Sequence, residues 1–385
     1  MVFYQKMGKL PKKRHTVFRD PAGSLYHEEL IGNEGFTGIS SLIYHISPPT
    51  MVRHAGVIEP LAVHPSPDPS IRHRHFRTGE LAPSGDPVSG RHILLYNAEV
   101  VLSHARPTAS SEYLYRNGQA DELVYVCSGS GVLESVFGSI EFTSGDYLII
   151  PRGIIHRLNL TEGEEHRHFI TESKGIIRTP RRYRNKYGQH IEGAPYSERD
   201  FRTPAELITI DEDGEFEVRV KQRGGLHKYI FGKHPFDAVG WDGCYYPWVF
   251  SVHDFEPLVG RIHQPPPVHQ VFEGDGFVVC NFCPRPYDFD KDAIVVPYNH
   301  TNAQSDEVIY YASAEFMSRK GIEYGSITHH PDGIAHGPHP GSVEKGLGAT
   351  ATDELAVMVD TFRPLQIAEG ALGIEDGDYW KSWVE

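Results

Sequence analysis

The sequence predicts an all-β protein, and three observations carry that expectation. Gly (38) and Pro (28) punctuate the 385 residues at short intervals. Between them lie short β-rich runs such as H-I-L-L-Y-N-A-E-V-V-L, D-Y-L-I-I-P, F-V-V-C-N-F and E-V-I-Y-Y. Amphipathic helical patterns are nearly absent: Ser313 to Arg319 and the tail from Gln366 to Trp383 leave room only for short helices. Short strands bounded by turn residues build sandwiches or barrels. The length is enough for two large β domains.

Composition then narrows the partners. Lys plus Arg is 37 against 51 Asp plus Glu, a formal net charge of −14. A chain this acidic has little electrostatic reason to seek nucleic acid or an anionic membrane. No run approaches the roughly 18 apolar residues of a membrane span. The opening M-V-F-Y-Q-K-M-G-K-L-P-K-K-R has no apolar core of a secretory signal, and four cysteines are too few for a disulfide scaffold. A cytoplasmic compartment is the expectation. Cys280 and Cys283 form one C-x2-C pair without a second, so they read as core residues rather than zinc ligands.

Twenty-three histidines stand out, because imidazole is the commonest metal ligand and a frequent general base. An internal duplication separates the few that matter. In the first half Asp121-Glu122 is followed by six residues and Gly129, then by Gly145-x5-Pro151-x-Gly153-x2-His156. In the second half Asp306-Glu307 is followed by six residues and Ala314, then by Gly325-x5-Pro331-x-Gly333-x2-His336. Glycine and proline shape a tight turn, after which the histidine can point inward beside the carboxylate. His300, seven positions before Glu307, has no histidine counterpart before Glu122, where Tyr115, Arg116, Asn117 and Gly118 stand. Two imidazoles and a carboxylate make the ligand set of a non-haem Fe(II) oxygenase with open positions. His300, Glu307 and His336 are therefore the predicted metal ligands. The first copy reads as structural, with Glu122 and His156 expected to bond each other. Asp306 rivals Glu307 by counting, but the parallel with Glu122 favours Glu307. His330 is a candidate to orient a ligand or the substrate, whereas His339 reads as structural.

The duplicated motif resembles that of the cupin superfamily, whose domains are small jelly-roll barrels. The resemblance implies a bicupin: two jelly-roll barrels with few short helices. Residues 1–235 would form a barrel without a complete metal site, and residues 236–385 a barrel carrying the iron. Longer strings, K-R-H-T-V-F-R-D, F-D-A-V-G-W-D-G, P-Y-N-H-T-N and H-G-P-H-P-G, resemble the homogentisate 1,2-dioxygenase family, in its shorter bacterial form. That resemblance implies an extradiol-type, Fe(2+)-dependent enzyme of tyrosine and phenylalanine catabolism. Such an enzyme opens homogentisate to maleylacetoacetate with O2, and the chain is expected to form a homo-oligomer.

By position, His300, Glu307 and His336 match the family's iron ligands, and His263 a histidine that binds and deprotonates the phenol. His269 competes for that role. Tyr298, Arg285, Arg319 and Arg363 are candidates to meet the substrate's acetate. The sequence departs from the family's longer members twice. Six residues separate His300 from Glu307 instead of five, and Phe316 stands where a substrate-holding tyrosine is expected. Phe316 keeps a different ring in view, such as gentisate or another substituted phenol. A metal-free bicupin that only binds a ligand is the non-enzymatic alternative.

Overall fold

The computed structural model describes residues 3–313, 316, 318–319 and 321–384. Ala314, the counterpart of Gly129, lies outside the described residues, as do residues 315 and 317 of the segment where a short helix is expected. The described chain is almost wholly strand, turn and loop, with one α-helical turn at Ser342–Gly346 and single turns of 3-10 helix elsewhere. The tail carries two of those turns, Glu369–Ile374 and Tyr379–Trp383. The all-β bicupin expected from the sequence is what forms.

In the first half the chain alternates between two facing sheets. Leu114–Asn117, Gly131–Ser135, Gly138–Phe142 and His156–Leu160 lie in a seven-stranded sheet. Asp121–Ser128, Asp146–Ile150 and Arg167–Ser173 lie in an eight-stranded one. Apart from the hairpin of Gly131–Ser135 and Gly138–Phe142, the chain crosses from sheet to sheet, which is how a jelly roll buries both inner faces. Leu123, Leu133, Leu148 and Phe169, all fully buried, meet between them. The second barrel has a six-stranded sheet in the order Gln270–Gly274, Phe277–Phe282, Ala356–Thr361, Asp306–Tyr311, Ser326–His330, Arg74–Arg77.

The turn glycines do what the motif requires. Gly145 and Gly325 have φ of 90° and 83°, Gly153 and Gly333 of 85° and 72°. All four sit in the left-handed region, which a side chain rarely adopts. The two copies also share their bonds: Gly153 N–H donates to Asn117 O and Gly333 N–H to Asn302 O, both at 2.8 Å.

The barrels exchange strands across residue 235. Ala238–Gly243 and Trp248–Ser251 pair with strands of the first half, Ser40–His45 and Asp146–Ile150. In the other direction Arg74–Arg77 closes the edge of the second barrel's sheet, with Phe76 fully buried opposite Ile327. Gln366–Ile367 returns to pair with Arg91–Tyr96. One apolar core runs through both halves. Residues 236–385 expressed alone lack the Arg74–Arg77 strand, and an uncovered sheet edge is a pairing hazard. That fragment is expected to show no cooperative thermal transition by circular dichroism, and to gain one when co-expressed with residues 1–235.

Candidate metal centre

Alternation along one strand explains the Asp-Glu pair. Successive side chains on a strand point to opposite faces, so Asp306 and Glu307 cannot share a site. The Asp306 carboxylate accepts the backbone N–H groups of Asp332 (2.8 Å) and Leu365 (2.7 Å) and the His329 ring (2.9 Å). It thereby pins the turn that follows Pro331. Asp121 does the same in the first copy, accepting from the backbone of Arg152 and Ile177. Glu307, on the other face, is buried opposite His330 on one neighbouring strand and Asp360 on the other.

His300 and His336 reach the same point from two backbone segments that bond each other reciprocally, N–H to O, at 2.8 and 2.9 Å. Each ring turns its Nδ1 towards a backbone carbonyl two residues earlier, Tyr298 O and Ile334 O, both at 3.1 Å. That bond leaves Nε2 as the free lone pair. Both Nε2 atoms stand 3.7 Å from Glu307 Oε2. The three donor atoms lie within 4.8 Å of one another. His336 Nε2 is buried without a hydrogen-bond partner, which is the environment a ligating lone pair requires.

The far oxygen of Glu307 has its own partners. His330 Nδ1–H donates to Oε1 at 2.7 Å, and Arg319 Nη2 stands 3.8 Å from it. Burial alone would raise the Glu307 pKa; the three imidazoles around it, His330 in direct bond and His300 and His336 at 3.7 Å, overcome it and hold the carboxyl well below its usual range. The same carboxylate raises His300 above the ordinary imidazole value. His330, fully buried, lies stacked on His336 with ring centroids 4.8 Å apart. Two nitrogens and one oxygen suit a first-row divalent ion, with Fe(II), Mn(II) and Zn(II) all compatible. The residues present fit such an ion.

The first barrel answers the same problem differently. Its His156 repeats the His336 geometry, with Nδ1 bonded to Ile154 O at 3.0 Å. Tyr115 occupies the His300 position, bridged to His156. The expected Glu122–His156 bond does not form. Arg91 grips Glu122 through two bonds of 2.8 Å, and Asn117 and the Tyr115 hydroxyl complete its shell. A guanidinium takes the place of a cation.

A cavity opens onto the cluster from the other side. His263, His269, Phe316, Arg285 and Arg319 line it together with His300 and Glu307. His263 Nε2 is buried without a partner, and burial lowers its pKa. His269 is buried more deeply, and its pKa is pushed down to about 3. Phe316 packs edge-on against Phe282 and Tyr311. Tyr298 serves through its backbone: its carbonyl orients His300, while its ring is 60 % exposed and stands 5.2 Å from that of His263. Arg363 pairs with Glu99 away from the cavity, and His339 bonds Ser382. Cys280 and Cys283 are buried and free.

Two neighbours were not readable from local motifs. Asp360 lies beside Glu307, and burial together with that negative neighbour raises its pKa well above the usual value. His73 arrives from the first half of the chain, its ring 5.3 Å from His330 and 4.8 Å from Trp383. Glu172, which faces Glu122 as Asp360 faces Glu307, would have flagged Asp360 had the duplication been followed further.

Comparison with known proteins agrees in direction. Residues 83–252 match the family model described as homogentisate 1,2-dioxygenase N-terminal. The protein named "Putative dioxygenase SSO1533" from Saccharolobus solfataricus is 42% identical over 386 residues, covering 100% of this chain and 99% of that protein. The homogentisate 1,2-dioxygenase of Nitrobacter hamburgensis is 26% identical over 76% of this chain and 65% of its own length. Among solved structures, the "Cupin 2 conserved barrel domain protein" of Leptotrichia buccalis is 9% identical over 75% of this chain and 96% of that chain, with a TM-score of 0.33.

The buried Arg91–Glu122 pair gives a sharp stability test. Arg91→Met strands a carboxylate in the barrel and is expected to cost about 3–5 kcal/mol in urea denaturation. Adding Glu122→Gln should restore most of it. The pair also works through pH. Arg91 holds the Glu122 pKa down against the opposing effect of burial. Its contribution is therefore full above the unfolded carboxyl value of about 4.3 and is lost as pH falls towards the folded one.

Proposed function

Since this chain belongs to the homogentisate 1,2-dioxygenase family, we propose that it is an Fe(II)-dependent dioxygenase that opens the ring of homogentisate with O2. The observation that supports this reading most is the cluster of His300, Glu307 and His336 beside a cavity that His300 and Glu307 help to line. When bound there, iron(II) supplies adjacent positions at which a phenol and dioxygen can meet.

The chain's own residues do the rest. Glu307 would offer Oε2 to the ion while His330 holds Oε1 and the Arg319 charge stands 3.8 Å away, so the carboxylate stays ionised and fixed in orientation. The Nδ1 bonds of His300 and His336 fix the rings before any ligand arrives. His263 is neutral at pH 7 because burial depresses its pKa, so it can accept the proton a phenol loses on binding. His269, at about 3, is too weak a base for that step and is left to hydrogen-bond a ring hydroxyl. Ile309, Phe316 and Met358 give the cavity an apolar wall that keeps water from the reacting ring. Of the four candidates for the acetate, Arg285 and Arg319 border the cavity; Arg285 already bonds Glu354 at 2.8 Å.

Phe316 supports the second reading, a different hydroquinone-type ring such as gentisate. It puts an apolar edge where a hydroxyl would otherwise meet substrate. An oxygen electrode decides between them. Protein reconstituted anaerobically with Fe(II) is expected to bind one iron per chain and to consume O2 fastest with homogentisate among a panel of phenols. No uptake with homogentisate defeats the leading reading. Full iron-free occupancy of a ligand would favour the metal-free binding protein.

His263→Ala is expected to lower kcat/KM by about 10²–10⁴ with iron content unchanged. The wild-type rate should fall on the acid side only below the ordinary imidazole value of about 6.5, because the lowered pKa keeps His263 neutral to lower pH. The variant should lose that limb.

A further inference from the structure

A second basic site lies on the outer face of the first barrel. Tyr115 and Asn117 point inward to Glu122, so Arg116 between them points out. It is largely desolvated, and burial lowers its pKa. Among the described residues it forms no hydrogen bond and no ion pair. Its side chain lines two neighbouring spaces.

One space is a cavity between the barrel and the sheet of Ser40–His45, walled by Ile31, Ile43, Met51, Ile155 and Phe231. The two carboxylates on that wall are already engaged. Asp237 and Glu29 bond the His45 ring at 2.6 and 3.0 Å, and together they hold His45 protonated with a pKa of about 9. Lys233 is paired with Asp213 at 3.0 Å. Arg116 has no direct partner there; Glu29 acts on it only through space.

The other space is an open groove shared by Arg116, Gln222, Arg223, His227 and Tyr229, with no acidic residue on its wall. In a chain of net charge −14 that is a local reversal of sign. Arg223 also has no hydrogen-bond or ion-pair partner among the described residues. It sits at φ 51° in the turn between Asp213–Gln222 and Gly225–Lys233, a position that usually takes glycine or asparagine. The strained residue projects a cation over the groove.

We propose that this pair of spaces binds a small amphipathic carboxylate, its anionic head between Arg116 and Arg223 and its apolar tail in the cavity behind. Two guanidiniums can pair with one carboxylate, and the apolar wall of the cavity suits a short alkyl tail. The site is separate from the metal centre and does not depend on what reaction occurs there.

Hexanoate is a suitable probe, because it lacks the phenol that the metal cavity would recognise. Titration calorimetry on the iron-loaded full chain is expected to show one hexanoate per chain. Arg116→Gln should weaken it roughly tenfold or more, the loss of charge-assisted bonds to a carboxylate. Arg223→Gln, on an exposed turn, should weaken it in the same direction without a folding defect. His336→Ala should leave it unchanged, and hexylamine should not bind. The proposal is overturned if hexanoate does not bind at millimolar concentration, or if binding survives both arginine variants. It is also overturned if binding disappears in His336→Ala, which would place hexanoate in the metal cavity.

Discussion

A carboxylate on the inner face of a barrel strand needs a positive partner, and both halves of this chain are arranged around that need. Burying an ionised carboxylate costs several kcal/mol even after relaxation, and it is tolerated only when charge and hydrogen bonds surround it. The first barrel surrounds Glu122 with Arg91, Asn117 and Tyr115. The second surrounds Glu307 with three imidazoles and leaves Arg319 at 3.8 Å, outside direct bonding. A guanidinium fills its barrel; three imidazoles leave a lone-pair-lined space. The difference between a structural barrel and a metal-ready one lies in which cation the fold itself supplies.

The neighbouring aspartate carries the complementary task. Asp121 and Asp306 face the turn rather than the interior, each accepting one backbone N–H from it and one from a distant segment, Ile177 or Leu365. The turn in each copy delivers the histidine that sits beside the glutamate. Two adjacent acids on one strand thus fix the site from both ends, one by building the turn and one by entering the cluster. Sites built on paired strands with their own hydrogen-bonded supports hold their geometry better than sites on loops.

Much of this was legible in sequence because the signals are local. The Asp-Glu pair and the G-x5-P-x-G-x2-H spacing lie within short stretches, and the duplication supplied an internal control that separated Glu307 from Asp306. What stayed hidden came from far along the chain. Arg91 reaches Glu122 from a strand with no motif of its own, and His73 reaches His330 from a segment hundreds of residues earlier. Tyr298 was legible as a residue but not in its role, since a backbone carbonyl has no sequence signature. The Glu122–His156 expectation failed for the same reason as Arg91: a long-range partner outcompeted the local one.

The strand Arg74–Arg77 gives the fold a temporal dimension. His75 bonds Ser326, its partner across 251 positions of sequence. During synthesis at about 5–20 residues per second, that strand emerges roughly 10–50 s before its partner exists. The first half of the chain therefore leaves the ribosome carrying a strand reserved for a partner not yet made. Until the second barrel arrives, that strand must be kept from pairing with the wrong neighbour, and the order of translation becomes part of the folding mechanism.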